Sequence, residues 1–340
     1  MPPDRDELTG SRGQGLTARD QALTGGARTP PPADGPEPSG PGGTPAGPRR
    51  TVPLSHIPGA ARWIYRHTRT YAGALTVLIA MCIYLTATQP FFLTGSNIFN
   101  VLAGNSDLLL ISVGLTFAIL SAGFDLSVGA LASATGLVLY EVLALGAPAW
   151  VAVLAALALG AVFGGVVNGL LIGKFKLNFF VVTLGTMTLV FGLIDVITNG
   201  QTETISAPGF FAAIGNNNLA GVPIPVWICL VAVILAALVL NHTTFGRAVY
   251  AVGGNAEAAR LSGINVTLVI FLIYAVAGFA AGLAGVVDAS RLSSVAPTAG
   301  TTLTLTAAAA VLLGGTSFFG GIGGVAGTVV GVLLISVLQN

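Results

Sequence analysis

Residues 149–173 read AWVAVLAALALGAVFGGVVNGLLIG, with Lys174 directly after them. No charged side chain interrupts the run. It is long enough to cross a hydrocarbon core, which takes about 20 mostly apolar residues at ~1.5 Å of helical rise each. Glycines recur four apart, at Gly160 and Gly164 and again at Gly165 and Gly169, so this helix can bring a second backbone close. In lipid, where apolar burial no longer discriminates, such close approach holds helices together by dispersion. The pattern belongs to a helix packed among others within a membrane.

The remainder of the chain agrees. Only 8% of the residues are charged, against roughly a quarter in an ordinary soluble domain. Nine of the 14 Lys and Arg lie at or before Arg69, so the residues beyond it are almost uncharged. Apolar windows of spanning length fall near 71–90, 98–120, 126–146, 149–173, 179–197, 223–241 and 266–288. Two further windows, near 302–318 and 322–339, are interrupted by glycine. The expected fold is all-α, a polytopic transmembrane helix bundle of about nine spans.

Residues 1–50 are different material. The stretch 29–50 (TPPPADGPEPSGPGGTPAGPRR) is rich in Pro and Gly and lacks apolar periodicity, which reads as a disordered tail. It is no signal peptide, because no apolar core follows a short basic start. Residues 51–70 form a basic juxtamembrane segment in which Arg62, Arg66 and Arg69 follow Arg49 and Arg50, marking a cytoplasmic N-terminus. Counting spans from there puts Lys174, Lys176, Arg247 and Arg260 on the cytoplasmic side and only Arg291 outside. The loop after residue 198 falls outside and holds no Lys or Arg before residue 223.

Several motifs mimic chemistry without supplying it. GLLIGKF at 169–175 has one residue too few for a phosphate loop, and Phe175 stands where a hydroxyl would hold magnesium. GIGGVA at 321–326 fits a dinucleotide fingerprint but has neither a preceding strand nor a following acid. His56, His67 and His242 are too scattered for a metal site, Cys82 and Cys229 read as buried inert thiols, and no basic stripe suggests nucleic acid. No nucleophile, base or metal cluster assembles, so an enzyme is not expected, and any ATP must be bound by a partner.

Four stretches carry a resemblance. They are TFAILSAGFDLSVGALASATG (116–136), GVVNGLLIGKFKLNFFVVTLGTMTLVFG (165–192), FGRAVYAVGGNAEAARLSGINV (245–266) and, more weakly, LGGTSFFGGIGGVAGTVVG (313–331). In this order the chain, over roughly residues 75–340, resembles the permease subunits of ATP-binding-cassette sugar importers, the family that includes the ribose and xylose systems. In the third stretch Glu257-Ala258-Ala259, then three residues, then Gly263 is similar to the EAA–xxx–G pattern of importer permeases. The resemblance implies that loop 242–265, with Arg247, Asn255, Glu257, Ala258, Ala259, Arg260 and Gly263, docks an ATPase subunit. The residues themselves suit a short helix with an apolar-plus-small face (Ala258, Ala259, Leu261) and a glycine C-cap at Gly263. Beyond the ATPase, the family implies a periplasmic or lipid-anchored sugar-binding protein and a second permease, as a homodimer or pseudo-symmetric heterodimer.

Ionisable residues inside spans are functional candidates by default, because burying a charge in hydrocarbon costs about 2.5–3.5 kcal/mol on insertion scales. Asp125 is the first of these, either capping the helix that follows it or touching substrate or ATPase. Asp107, with Asn105 beside it, is the second, and no basic residue of a neighbouring span offers to pair with it. Glu141 and Asp195 fall near span ends. Asn168, Asn178, Thr183 and Thr186 offer uncharged hydrogen-bonding groups suited to a path for a hydroxyl-rich sugar, though Ser and Thr on helices often bond their own backbone. Two departures stand out. Thr304-Leu305-Thr306 occupies the place of the family's Glu-Leu-Asp, and the chain stops at Asn340, where the family, usually of about ten spans, continues. Other readings remain at this stage: a permease for nucleosides or branched-chain amino acids, or an ion-coupled carrier using Asp107 or Asp125.

Overall fold

The computed structural model describes residues 70–206 and 209–340. The expected disordered tail, the basic segment 51–70 apart from its last residue, and the N-terminal arginines and histidines named above lie outside the described residues. Each of the nine apolar windows holds a helix. They are α1 (Ala72–Thr88), the pair α2 (Gly95–Gly104) and α3 (Ser106–Leu120), α4 (Val128–Ala144), α5 (Ala149–Gly173) and α6 (Phe179–Thr198). After the short α7 (Phe210–Asn216) come α8 (Ile224–His242), α9 (Thr244–Gly254), α10 (Ala256–Leu261), α11 (Val266–Leu292), α12 (Leu303–Leu313) and α13 (Val325–Gln339).

Four of these, α5, α6, α8 and α11, are long and apolar enough to cross a membrane unaided, and α2–α3, bent by 50°, reach that length and apolarity only as a pair. Their outward faces are apolar: Val181 and Val196 on α6 are 70% and 75% exposed. A surface of that kind suits hydrocarbon and no aqueous solvent.

The centre is α11, 27 residues long, packed against α3, α4 and α5 through Ala277, Gly278, Ala281, Gly282, Ala284 and Gly285. The glycine spacing read from 149–173 is satisfied here. A Cβ on Gly160 would lie 2.3 Å from the Gly278 carbonyl oxygen, and one on Gly278 2.0 Å from that of Gly160. The two backbones therefore touch, and neither position admits a side chain.

Three expectations need correction. The window 302–318 is not a full span: α12 has 11 residues and rises only ~16 Å, about half of a ~30 Å core. Residues 296–302 before it run non-helically into the bundle alongside α4, where the Gly300 amide donates to Ser133 Oγ at 3.0 Å. Only Pro297 and Gly300 of this segment are buried, while Thr298, Ala299, Thr301 and Thr302 are exposed. The last window likewise begins its helix only at Val325. Finally, residues 163–169 within α5 are wound as a π-helix, a winding that apolar patterning cannot reveal.

One end of the bundle gathers the basic residues. The Thr267 hydroxyl donates to the Gly173 carbonyl at 3.1 Å, joining α11 to the turn that carries Lys174 and Lys176, and Lys176 lies near Glu257 of α10. At the opposite end two-residue strands β1 (Glu203–Thr204) and β4 (Ser294–Val295) pair antiparallel, and Asn216 of α7 donates to the Ser290 carbonyl. The hairpin β2 (Asn218–Leu219) and β3 (Val222–Pro223) leads from α7 into α8.

Candidate functional site

At the basic end, the segment read as a docking loop folds as two consecutive helices. Thr243 caps α9, its hydroxyl accepting from the Gly246 amide, and Asn255 caps α10 by accepting from the Ala258 amide at 2.9 Å. Beyond α10 the Gly263 amide donates to the Arg260 carbonyl and the Ile264 amide to the Ala259 carbonyl, with Gly263 at φ +87°. This is the Schellman arrangement, in which a left-handed residue lets two otherwise orphaned carbonyls find partners. The expected glycine cap is thus realised in geometry. The expected apolar face divides: Ala259 is buried against the bundle, whereas Ala258 and Leu261 point outward with Glu257 and Arg260. Glu257 and Arg260 pair with each other, and the guanidinium holds the carboxyl below its usual range. Arg247 is exposed on α9.

Immediately inside that surface lies a fully buried polar cluster. Residues 121–127 leave α3, turn through Ala122 at φ +60°, and deliver Asp125 into the bundle. One Asp125 oxygen accepts from the Ser127 amide at 2.8 Å and from its hydroxyl at 2.6 Å. Ser127 is the cap residue of α4, so Asp125 fixes that helix's start from two residues upstream. Asn168, in the π-wound part of α5, donates to Ser127 Oγ at 2.8 Å, and its Nδ2 stands 3.5 Å from both Asp125 oxygens. The Thr186 hydroxyl of α6 donates to Asn168 Oδ1 at 2.7 Å, and the Tyr274 hydroxyl of α11 donates to the Phe124 carbonyl. Asp125, Ser127 and Asn168 are completely buried, and among the described residues no cation pairs with Asp125.

A third group sits toward the far end. Asp107, on the first turn of α3, shares a small cavity with Asp288 of α11, Ser133 of α4 and the chain at 294–300. Arg291 pairs with Asp288 at 3.2 Å, while its buried Nε has no partner. Asp107 itself forms no ion pair among the described residues, since Arg291, in the last turn of α11, is engaged with Asp288. Asp288 escaped notice in the sequence because it merely closes the apolar window 266–288, and Arg291 was read only as a charge on the outer side. Their three-residue spacing on a helix was the available signal.

The remaining candidates separate. Asn178 is exposed and caps α6, accepting from the Phe180 amide, and Thr183, though buried, bonds the Phe179 carbonyl of its own helix. The Asn105 side chain donates to the Val101 carbonyl at the bend between α2 and α3. Glu141 and Asp195 are exposed and join none of the three clusters. Asn168 and Thr186 thus meet Asp125 in one network, whereas Asn178 and Thr183 serve their own helix.

Residues 97–340 match the family described as the branched-chain amino acid transport system / permease component. The ribose import permease protein RbsC of Escherichia coli (strain K12) is 44% identical over 273 residues, 78% of this chain and 83% of its own. The ribose import permease protein RbsC of Bacillus subtilis (strain 168) is 40% identical over 269 residues, 79% of this chain and 83% of its own. The L-arabinose transport system permease protein AraH of Escherichia coli (strain K12) is 36% identical over 268 residues, with coverages of 79% and 81%. No solved structure matches. Helices of spanning length, a capped pair of short helices at the basic end and a family profile reaching from residue 97 to 340 agree: the chain belongs to the family of transport-system permease components.

Proposed function

We propose that this chain is the membrane-spanning permease subunit of a bacterial ATP-binding-cassette importer that carries a monosaccharide across the plasma membrane. A separate subunit binds and hydrolyses the ATP. The observation that carries the reading is α10: a six-residue helix capped at both ends and seated on the bundle by Ala259, with Glu257, Ala258, Arg260 and Leu261 exposed. Isolated helices this short are unstable in water, so caps at both ends suit an element kept in shape for a partner. The basic end then faces the cytoplasm, since among the described residues Lys174, Lys176, Arg247 and Arg260 gather there and Arg291 alone lies opposite. The N-terminus lies on that same side.

The cargo assignment draws on relatives whose names refer to ribose, D-allose and L-arabinose. The assembly is two permeases, as a homodimer or a pseudo-symmetric heterodimer, with ATPase subunits inside and a periplasmic or lipid-anchored binding protein outside. The test is uptake of radiolabelled ribose, D-allose and L-arabinose by cells expressing the full transporter. Combining Glu257→Ala with Gly263→Pro should abolish ATP-dependent uptake while leaving the amount of permease in the membrane unchanged. Undiminished uptake by that variant would overturn the docking assignment. Uptake driven by an ion gradient without ATP would favour a carrier instead.

A further inference from the structure

We infer that Asn168 is a positioning residue of the transport cycle, joining the docking helices to α5 and α6 through the Asp125 loop. This rests on the docking assignment above. The path begins at α9, where a Cβ on Gly253 would fall 1.8 Å from the Leu120 carbonyl oxygen, so the helix end lies directly on the end of α3. The same carbonyl accepts from the Gly321 amide at 2.9 Å, which fixes it from a second side. From Leu120 the chain runs through residues 121–127 to Asp125 and Ser127, and Ser127 Oγ receives the Asn168 amide. A displacement of α9 therefore moves a loop that ends on Asn168.

Asn168 is suited to pass that movement on because both halves of its amide are engaged. Its Nδ2 donates toward α4's cap, and its Oδ1 accepts from Thr186 on α6. It also lies in the π-wound residues 163–169 of α5. A π-turn holds one residue more than an α-turn, so rewinding it would rotate Asn168 by about 100° relative to one side of the helix. On this inference the second arrangement that transmission requires is that stretch rewound as α-helix. A fully buried carboxyl with no cation partner among the described residues makes the arrangement sensitive, since each lost donor leaves a buried polar oxygen unsatisfied.

The experiment uses the full chain purified in mild detergent with the ATP-binding subunit that accompanies it. Cys82→Ser and Cys229→Ala clear the background, and spin labels go on Leu154→Cys of α5 and Val196→Cys of α6, both exposed. Electron paramagnetic resonance measures their separation before and after ATP with vanadate. The parent should show a shift, and Asn168→Ala should lose it while retaining the ATP-binding subunit and its hydrolysis. Thr186→Val, a milder change, should lose most of the shift, and Thr186→Ser should restore it. The inference is overturned if either disrupting variant keeps the full shift, if shift and hydrolysis disappear together, or if the parent shows no shift. Should Asn168→Ala fail to fold, the Thr186 pair decides alone. A parent that purifies with no ATP-binding subunit would instead sink the docking assignment on which the inference rests.

Discussion

Thr304 stands where the resembling family has an acid, yet it is 3% exposed and engaged on both sides. Its hydroxyl accepts from the Gly129 amide at 3.0 Å and donates to the Leu126 carbonyl at 3.3 Å, tying α12 to the first turn of α4. Thr304→Val keeps the shape and removes both bonds. Leaving a buried amide unsatisfied should cost about 1–3 kcal/mol, read as a lowered unfolding temperature in detergent. Gly278→Val has a different cause and a larger expected effect. Its side chain meets the Gly160 carbonyl, so α5 and α11 must separate, and destabilisation of at least ~3 kcal/mol should show as loss of folded protein on size-exclusion chromatography. Gly278→Ala should be tolerated only slightly better. The two sites differ in legibility. The glycine spacing stands in the sequence, whereas Thr304's partners lie more than 170 residues away and only the fold brings them near.

At the scale of elements, the terminal Gly263 of α10 was readable because a glycine cap is a local signal, whereas which of Ala258, Ala259 and Leu261 meets the bundle was not. Asn255→Ala removes the acceptor for the Ala258 amide and should cost about 1 kcal/mol of α10 stability. Hydrogen exchange should then quicken at the amides of residues 258–262 and stay unchanged in α11. Equal exchange in both proteins would mean that packing of Ala259, and not the cap, holds the helix. The broken span was the least readable. Hydropathy responds to apolar content and not to winding, so the window 302–318 looks continuous although α12 covers only Leu303–Leu313. The π-wound stretch is hidden for the same reason: FGGVVNG at 163–169 carries the apolar and small residues of any packed helix. The 50° bend at Asn105 joins two helices that the window 98–120 merges into one.

For the whole molecule, composition alone placed the chain in a membrane, and the spread of the five Lys and Arg beyond residue 69 set a basic end against a nearly neutral one. What composition could not give is how the clusters are stacked along the bundle. The docking helices lie at one end, the Asp125 network just inside them, and the Asp107–Asp288–Arg291 group toward the other. That order follows from the packing of α3, α4 and α5 on α11, through contacts far apart in sequence. It assigns the polar residues to separate jobs: Asp125 to a sealed joint, and Asp107 to a charged cavity that α11 completes. The proposed function stands or falls on whether an ATP-binding subunit docks on residues 242–265. The most direct measurement is mass spectrometry of what copurifies with the tagged full chain from mild detergent. An ATP-binding subunit should come down in stoichiometric amount and be lost when Glu257→Ala and Gly263→Pro are combined. A chain that purifies alone, yet moves solute down an ion gradient in liposomes, would contradict it.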